Sequence, residues 1–265
     1  MSEDAAPAPA PAPDEIADSE PEAVIQSLSD LMTRMRASRE LDGPFWYRGQ
    51  SRFTWDVSAR IARNRTFLRN EVTMLKRFRQ DAAPRLREKP STEWEWIFLA
   101  QHYGLPTRLL DWTENPLVGL YFAVETDDAD MDEAVDGALY ELDPDALNKD
   151  SFGEGGPGVV MFDHDQHLDD YLPQATSKPR MGAIAAIAGR SFDRIIAQSG
   201  TFTVTHKDHV ASELNDNPRI VRKIRIPAPA KPFIREELAD INIRASTVYP
   251  DLEHLATYVR ERYER

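Results

Sequence analysis

The chain has no cysteine. That removes disulfides, thiol nucleophiles and Cys-ligated zinc, and it suits a reducing cytoplasm, where the protein is expected to reside. No window approaches eighteen apolar residues, so no membrane-spanning helix is predicted. There is no P-loop, no GxSxG and no HExxH, so the signatures of common NTPases, serine hydrolases and zinc hydrolases are missing. Bases are scarcer than acids, and the net charge is −13. That acidity is local. Residues 1–22 and 125–136 each carry seven acids and no Lys or Arg, and without those fourteen acids the remainder carries +1. No basic stripe for duplex DNA is present. The basic cluster Arg60, Arg63, Arg65 and Arg69 is a small patch able to meet a phosphate-bearing ligand.

What is present reads as one unit behind a tail. The Pro-Ala run of residues 1–21 cannot bury a face and is expected to be an acidic, disordered tail, open to a protein partner, and not a signal or transit peptide. Val24, Leu28, Leu31, Met32 and Met35 then recur at helical spacing until Gly43-Pro44. Phe45-Trp46-Tyr47 predicts a short strand running into Arg48-Gly49-Gln50. Helical periodicity returns near 68–82. Thr92 and Glu95 form a capping box opening a helix that ends at Gly104, a C′ glycine. Arg108-Leu109-Leu110-Asp111 predicts a short buried strand. Asn115-Pro116 predicts an N-cap and N1 proline for a helix to about Glu125. Strands are expected at 137–142, 158–162, 200–205 and 219–226, helical segments at 166–172 and 180–189, and amphipathic helices from Pro232 and Pro250. The mixed order predicts a single α+β domain over 22–265, a mixed sheet core flanked by helices.

Phe45-Trp46-Tyr47-Arg48-Gly49-Gln50, the run from Gln101 through Thr113 (QHYGLPTRLLDWT) and Leu120-Tyr121-Phe122-Ala123 together resemble the FRG domain family, named for its aromatic-Arg-Gly motif. The resemblance extends from about Asp30 to Tyr258. A more distant similarity is to the ADP-ribosyltransferase fold of the Arg–Ser–Glu type. Its three elements match, in order, Tyr47-Arg48-Gly49, the Leu109–Thr113 strand with its following helix, and the stretch from Arg194 to Phe202, taken as a strand. The third departs from the pattern. Gln198 and Gly200 stand where acids would, and Glu95 and Glu125 have no positional claim to replace them.

Physical readings of the single residues leave two accounts for most. Arg48 either grips a diphosphate or ribose with its planar fork, or pairs with a buried acid such as Asp111. Gly49 permits close backbone approach, and Gln50 follows it. Arg108 and Asp111 need partners if buried. His102, at a helix C-terminus, is either a general acid–base or a local cap, and Gln101 is equally open. Tyr103 and Trp112 either stack on a base or fill core. Thr113 contacts a ligand hydroxyl or belongs to a cap. Gln198 orients a ribose hydroxyl or is a satisfied strand residue. The His164 and His167 stretch reads as solvated loop, and no metal site is expected.

The resemblance to ADP-ribosyltransferases implies NAD as substrate and transfer of ADP-ribose or glycosidic hydrolysis, in a toxin or antiviral effector. Arg48, Thr113 and Gln198 would be catalytic, and Gly49, Gln50, Gln101, His102, Tyr103, Arg108, Asp111 and Trp112 would bind substrate. The alternative is a non-catalytic module holding a small nucleotide-like or phosphate ligand.

Overall fold

Helix boundaries follow local capping chemistry. The computed structural model describes residues 23–39, 44–126, 134–176, 182–189, 193–206, 214 and 217–264. The predicted tail and most of the second acidic run lie outside the described residues. Helix α1 (Leu28–Arg39) precedes strand β1 (Trp46–Gln50). A 3₁₀ turn (Arg60–Arg63) leads to α2 (Arg65–Ala82), capped by Asn64, whose side chain accepts from the Thr66 N–H. Helix α3 (Glu93–His102) opens with the expected capping box: Thr92 accepts from the Glu95 N–H, and Glu95 accepts in return from the backbone of Thr92. Glu95 is thereby committed to the helix start, where hydrogen bonds from Ser91 hold its carboxyl below its ordinary pKa.

The close of α3 explains HYGLP. Gly104 takes φ +85°, its N–H donates to the Gln101 carbonyl, and the Leu105 N–H donates to that of Ala100. These are the two bonds of a Schellman motif, with Pro106 just beyond to stop the helix. Strand β2 (Leu109–Thr113) follows, then α4 (Pro116–Val124), capped by the Asn115 side chain with proline in its first turn.

Next come β3 (Gly137–Leu142), α5 (Pro144–Phe152), β4 (Val160–Met161), β5 (Ile184–Ile187), α6 (Asp193–Ala197), β6 (Gly200–Val204), β7 (Val221–Ile226), α7 (Lys231–Asp240), α8 (Ala245–Val248) and α9 (Leu252–Tyr263). The sheet runs β4-β5-β6-β2-β1-β3-β7 and is antiparallel except for β4–β5. With helices on it, the α+β architecture is as expected. Among the described residues, no helix is long and apolar enough to cross a membrane.

Two predicted elements differ. Residues 184–187 form a strand, not helix. Ile184, Ala185 and Ala186 are fully buried, so no polar alternation marks the strand, and alanine favours the helical reading. The Asn148 side chain accepts from the Ala185 N–H and donates to the Ala185 carbonyl. The stretch from Arg194 to Phe202 is a short helix, a turn and then strand β6, so Gln198 sits in a turn and not on a strand.

The residues of β2 divide cleanly between faces. Leu110 and Trp112 join Trp46, Tyr140 and Leu142 in one core. Leu109 packs with Phe98, Phe162 and Phe202 beneath α3. On β1, Tyr47 joins Leu120, Ala123 and Leu139 in a third core under α4. Gly49 is what lets α4 settle there: a Cβ at this position would lie 2.0 Å from the Gly119 carbonyl oxygen and 2.3 Å from the Ala123 nitrogen.

Strand β1 pairs with β3 along its whole length, from Trp46↔Leu142 to Gln50↔Ala138. Strand β2 pairs equally fully with β6. Between β1 and β2 there is one register pair, Tyr47↔Thr113, and beyond it the two strands part. The opening this leaves positions the site.

Candidate functional site

Where β1 and β2 diverge, a cleft of about 370 Å³ opens, walled by the end of α3, the 3₁₀ turn, β2, α6 and the start of β6. Arg48 reaches into the gap. Its Nη1 donates to the Asp111 backbone carbonyl at 2.6 Å, a carbonyl with no β1 ladder partner. Its Nε is buried and has no hydrogen-bond partner among the described residues. Burial lowers the pKa of this guanidinium. The Asp111 charge works against that shift, and the Arg63 charge adds to it.

Residues 57–61 supply the second cationic wall by simple alternation. Val57, Ala59 and Ile61 are buried, which turns Ser58 and Arg60 to the cleft, joined by Arg63 at the end of the 3₁₀ turn. Arg60 donates to the Gly104 carbonyl at 3.4 Å, linking this wall to the Schellman turn. Arg60 and Arg63 belong to the basic cluster noted in the sequence. The apolar–polar alternation of residues 57–61 is the signal that could have placed Arg60 in the site.

Among the described residues that line the cleft, Asp111 is the one carboxylate. Leu109 and Leu110 before it and Trp112 after it are buried, while Asp111 itself is exposed, its side chain on the face opposite Leu110 and Trp112. Its Oδ1 accepts from Gln101 Nε2 at 2.8 Å, and Gln101 Oε1 in turn accepts from the Thr107 hydroxyl. The expected Arg48–Asp111 pairing therefore runs through the backbone carbonyl, and the carboxylate bonds Gln101 instead. Phe98 and Phe202, with ring centroids 5.0 Å apart, supply aromatic surface, and His102 stands at the α3 end.

Arg48, Gln101, His102, Asp111, Trp112 and Gln198 thus share one cleft. Trp112 sits at its wall but is otherwise core, with its indole N–H donating to Thr203 Oγ1 at 3.0 Å. Gln198 donates its side-chain amide to the Val248 carbonyl at 3.2 Å.

The other predicted site residues lie elsewhere, each for a packing reason. Gly49 faces α4. Gln50 is buried and donates to the Asp56 carbonyl at 3.2 Å. Thr113 is buried, donates to the Gln198 carbonyl and accepts from the Asn115 N–H, so it ties the turn before β6 to the start of α4. Tyr103 turns away to line a separate apolar hollow with Phe78 and Leu99. Arg108 is a core residue: Nε donates to both Glu71 carboxylate oxygens (2.8 and 3.1 Å), Nη1 to the Thr205 carbonyl and Nη2 to that of Tyr171. Glu125 accepts from the hydroxyls of Tyr121 and Tyr249, both at 3.1 Å.

A search of curated proteins finds no match, and neither does a search of solved structures. The family model of the FRG domain matches residues 43–132, a span that contains Arg48, the 3₁₀ turn with Arg60 and Arg63, α3, β2 and Asp111. The opposite wall, with Ile195, Gln198 and Phe202, lies beyond it. The chain carries an FRG domain over residues 43–132.

Proposed function

We propose that the cleft binds a phosphate-bearing nucleotide, with NAD⁺ as the leading candidate. The observation that carries this reading is Arg48: a guanidinium sunk between parted strands, with one bond to a neutral carbonyl and a buried Nε that bonds nothing among the described residues. A guanidinium carries five N–H donors, and an anion in the cleft would take those of its Nη groups that the Asp111 carbonyl leaves. Arg60 and Arg63 add charge at the same mouth, and Phe98 and Phe202 offer aromatic surface for a base. A cleft of about 370 Å³ falls within the range of small-ligand pockets.

Calorimetry with the full chain tests it. NAD⁺, ADP-ribose and ADP are expected to bind, and Arg48→Met and Arg63→Ala to weaken each roughly tenfold or more. Absence of binding by all three nucleotides overturns the reading.

A second reading adds turnover, as cleavage of the N-glycosidic bond of NAD⁺ or transfer of its ADP-ribose. It is favoured by Asp111, a carboxylate among the lining residues able to stabilise positive charge developing on a ribose. Gln198 carries no charge for that task. Release of nicotinamide, followed by mass spectrometry with and without cell extract, separates turnover from binding alone.

A further inference from the structure

Asp111 is hard to account for in a site that takes only phosphate. It stands among three arginines, and a carboxylate in an anion site repels the ligand. Nor does an internal ion pair consume it. Arg48 bonds its backbone carbonyl, while its Oδ1 accepts from Gln101, which Thr107 fixes from behind. A carboxylate has about four acceptor positions, and the contacts among the described residues fill one. What remains is an oriented acceptor facing the cleft, suited to hydrogen-bond donors on a ligand. On a nucleotide at neutral pH those donors are base or amide N–H groups and sugar hydroxyls, and of these two vicinal hydroxyls match two carboxylate oxygens.

We infer that Asp111 is the specificity residue of the cleft and accepts hydrogen bonds from the cis-diol of a ribose, with Gln101 and Thr107 as its positioning residues. The site then discriminates a ribonucleoside diphosphate from bare pyrophosphate, and from a nucleotide without the diol. This rests on the nucleotide-binding reading above and names the part of the ligand that gives selectivity. The arginines supply affinity that any polyphosphate shares, and Asp111 supplies the preference for the sugar.

The experiment is calorimetric titration of the full chain with ADP, 2′,3′-dideoxy-ADP and inorganic pyrophosphate, on wild type, Asp111→Asn and Arg63→Ala. Wild type should bind ADP roughly tenfold or more tighter than the dideoxy analogue, the worth of hydrogen bonds to a charged group. Asp111→Asn should erase that difference while leaving pyrophosphate binding equal or tighter, because a repelling charge is gone. Arg63→Ala should weaken all three ligands together. The dideoxy comparison on wild type needs no variant, so a folding defect in Asp111→Asn does not spoil the test. Equal binding of ADP and its dideoxy analogue by wild type overturns the diol assignment and leaves nucleotide binding standing. So does an Asp111→Asn loss that is the same for ADP and pyrophosphate. If wild type binds none of the three, both readings fall.

Discussion

Arg48 and Arg108 both come from the motifs that carry the family resemblance, yet they sit in opposite circumstances. Arg108 is almost fully buried, and all three of its nitrogens are matched, by Glu71, Thr205 and Tyr171. It joins α2, the end of β6 and the Gln166–Tyr171 turn, and it has no capacity for a ligand. Among the described residues Arg48 has one bond, to a carbonyl that a regular sheet would have paired with a strand, and an Nε left over. Two arginines that look alike in a motif are told apart by saturation. The saturated one holds the fold, and the unsaturated one holds capacity in reserve.

The largest expected effect tests the saturated member. Arg108→Ala leaves Glu71 charged and buried, and should cost about 3–5 kcal/mol in urea denaturation. Replacing both partners, as Arg108→Met with Glu71→Leu, should restore most of that loss. If it does not, the bonds to Thr205 and Tyr171 matter more than the ion pair. Gly49→Ala comes next. Its methyl group would meet the α4 backbone, and about 3 kcal/mol of destabilisation is expected. The melting temperature reads this directly, and a neutral result would mean that α4 can retreat from β1. Arg48→Met should change stability by no more than about 1 kcal/mol while weakening nucleotide binding roughly tenfold or more. A loss of stability comparable to that of Arg108→Ala would break the comparison.

The smallest effect concerns Asp136, another saturated group. The Ala228 N–H and Arg225 hold its pKa below the ordinary value of 3.8. Its folded pKa is depressed, so its contribution is fully present above 3.8 and is lost as the pH falls through the lower, folded value. Asp136→Asn should therefore flatten part of the acid limb of stability below that point. A limb of unchanged steepness would mean that the carboxylate is held no better folded than unfolded.

Much of the fold was legible wherever a local signal acts alone. The Thr92–Glu95 box, the Gly104 stop and the Asn115-Pro116 start work through backbone groups a few residues away, and all three stand as expected. Strand β5 was not legible, because its burial on both faces is a tertiary fact and its alanines favour a helix. The Arg194–Phe202 stretch misled in the same way, since an apolar run of that length suits a strand or a short helix equally. In the site, the sequence marked Arg48 and Asp111 but not their division of labour. That Gly49 and Thr113 are spent on packing, while Arg60 and Arg63 face the cleft, depends on partners far apart in the chain. No spacing rule reports such partners.

The single register pair between β1 and β2 has a mechanical consequence. Strands β4, β5, β6 and β2 form one plate, and β1, β3 and β7 form another. Across the line between them, Tyr47 and Thr113 form the one register pair, and the Arg48 side chain bonded to the Asp111 carbonyl is a second tie. Arg48 belongs to one plate and Asp111 to the other. A molecule gripped by both side chains would add a further fastener beside that tie. Each added fastener resists rotation of one plate against the other, so occupancy of the cleft would stiffen the sheet as well as fill a hole in it.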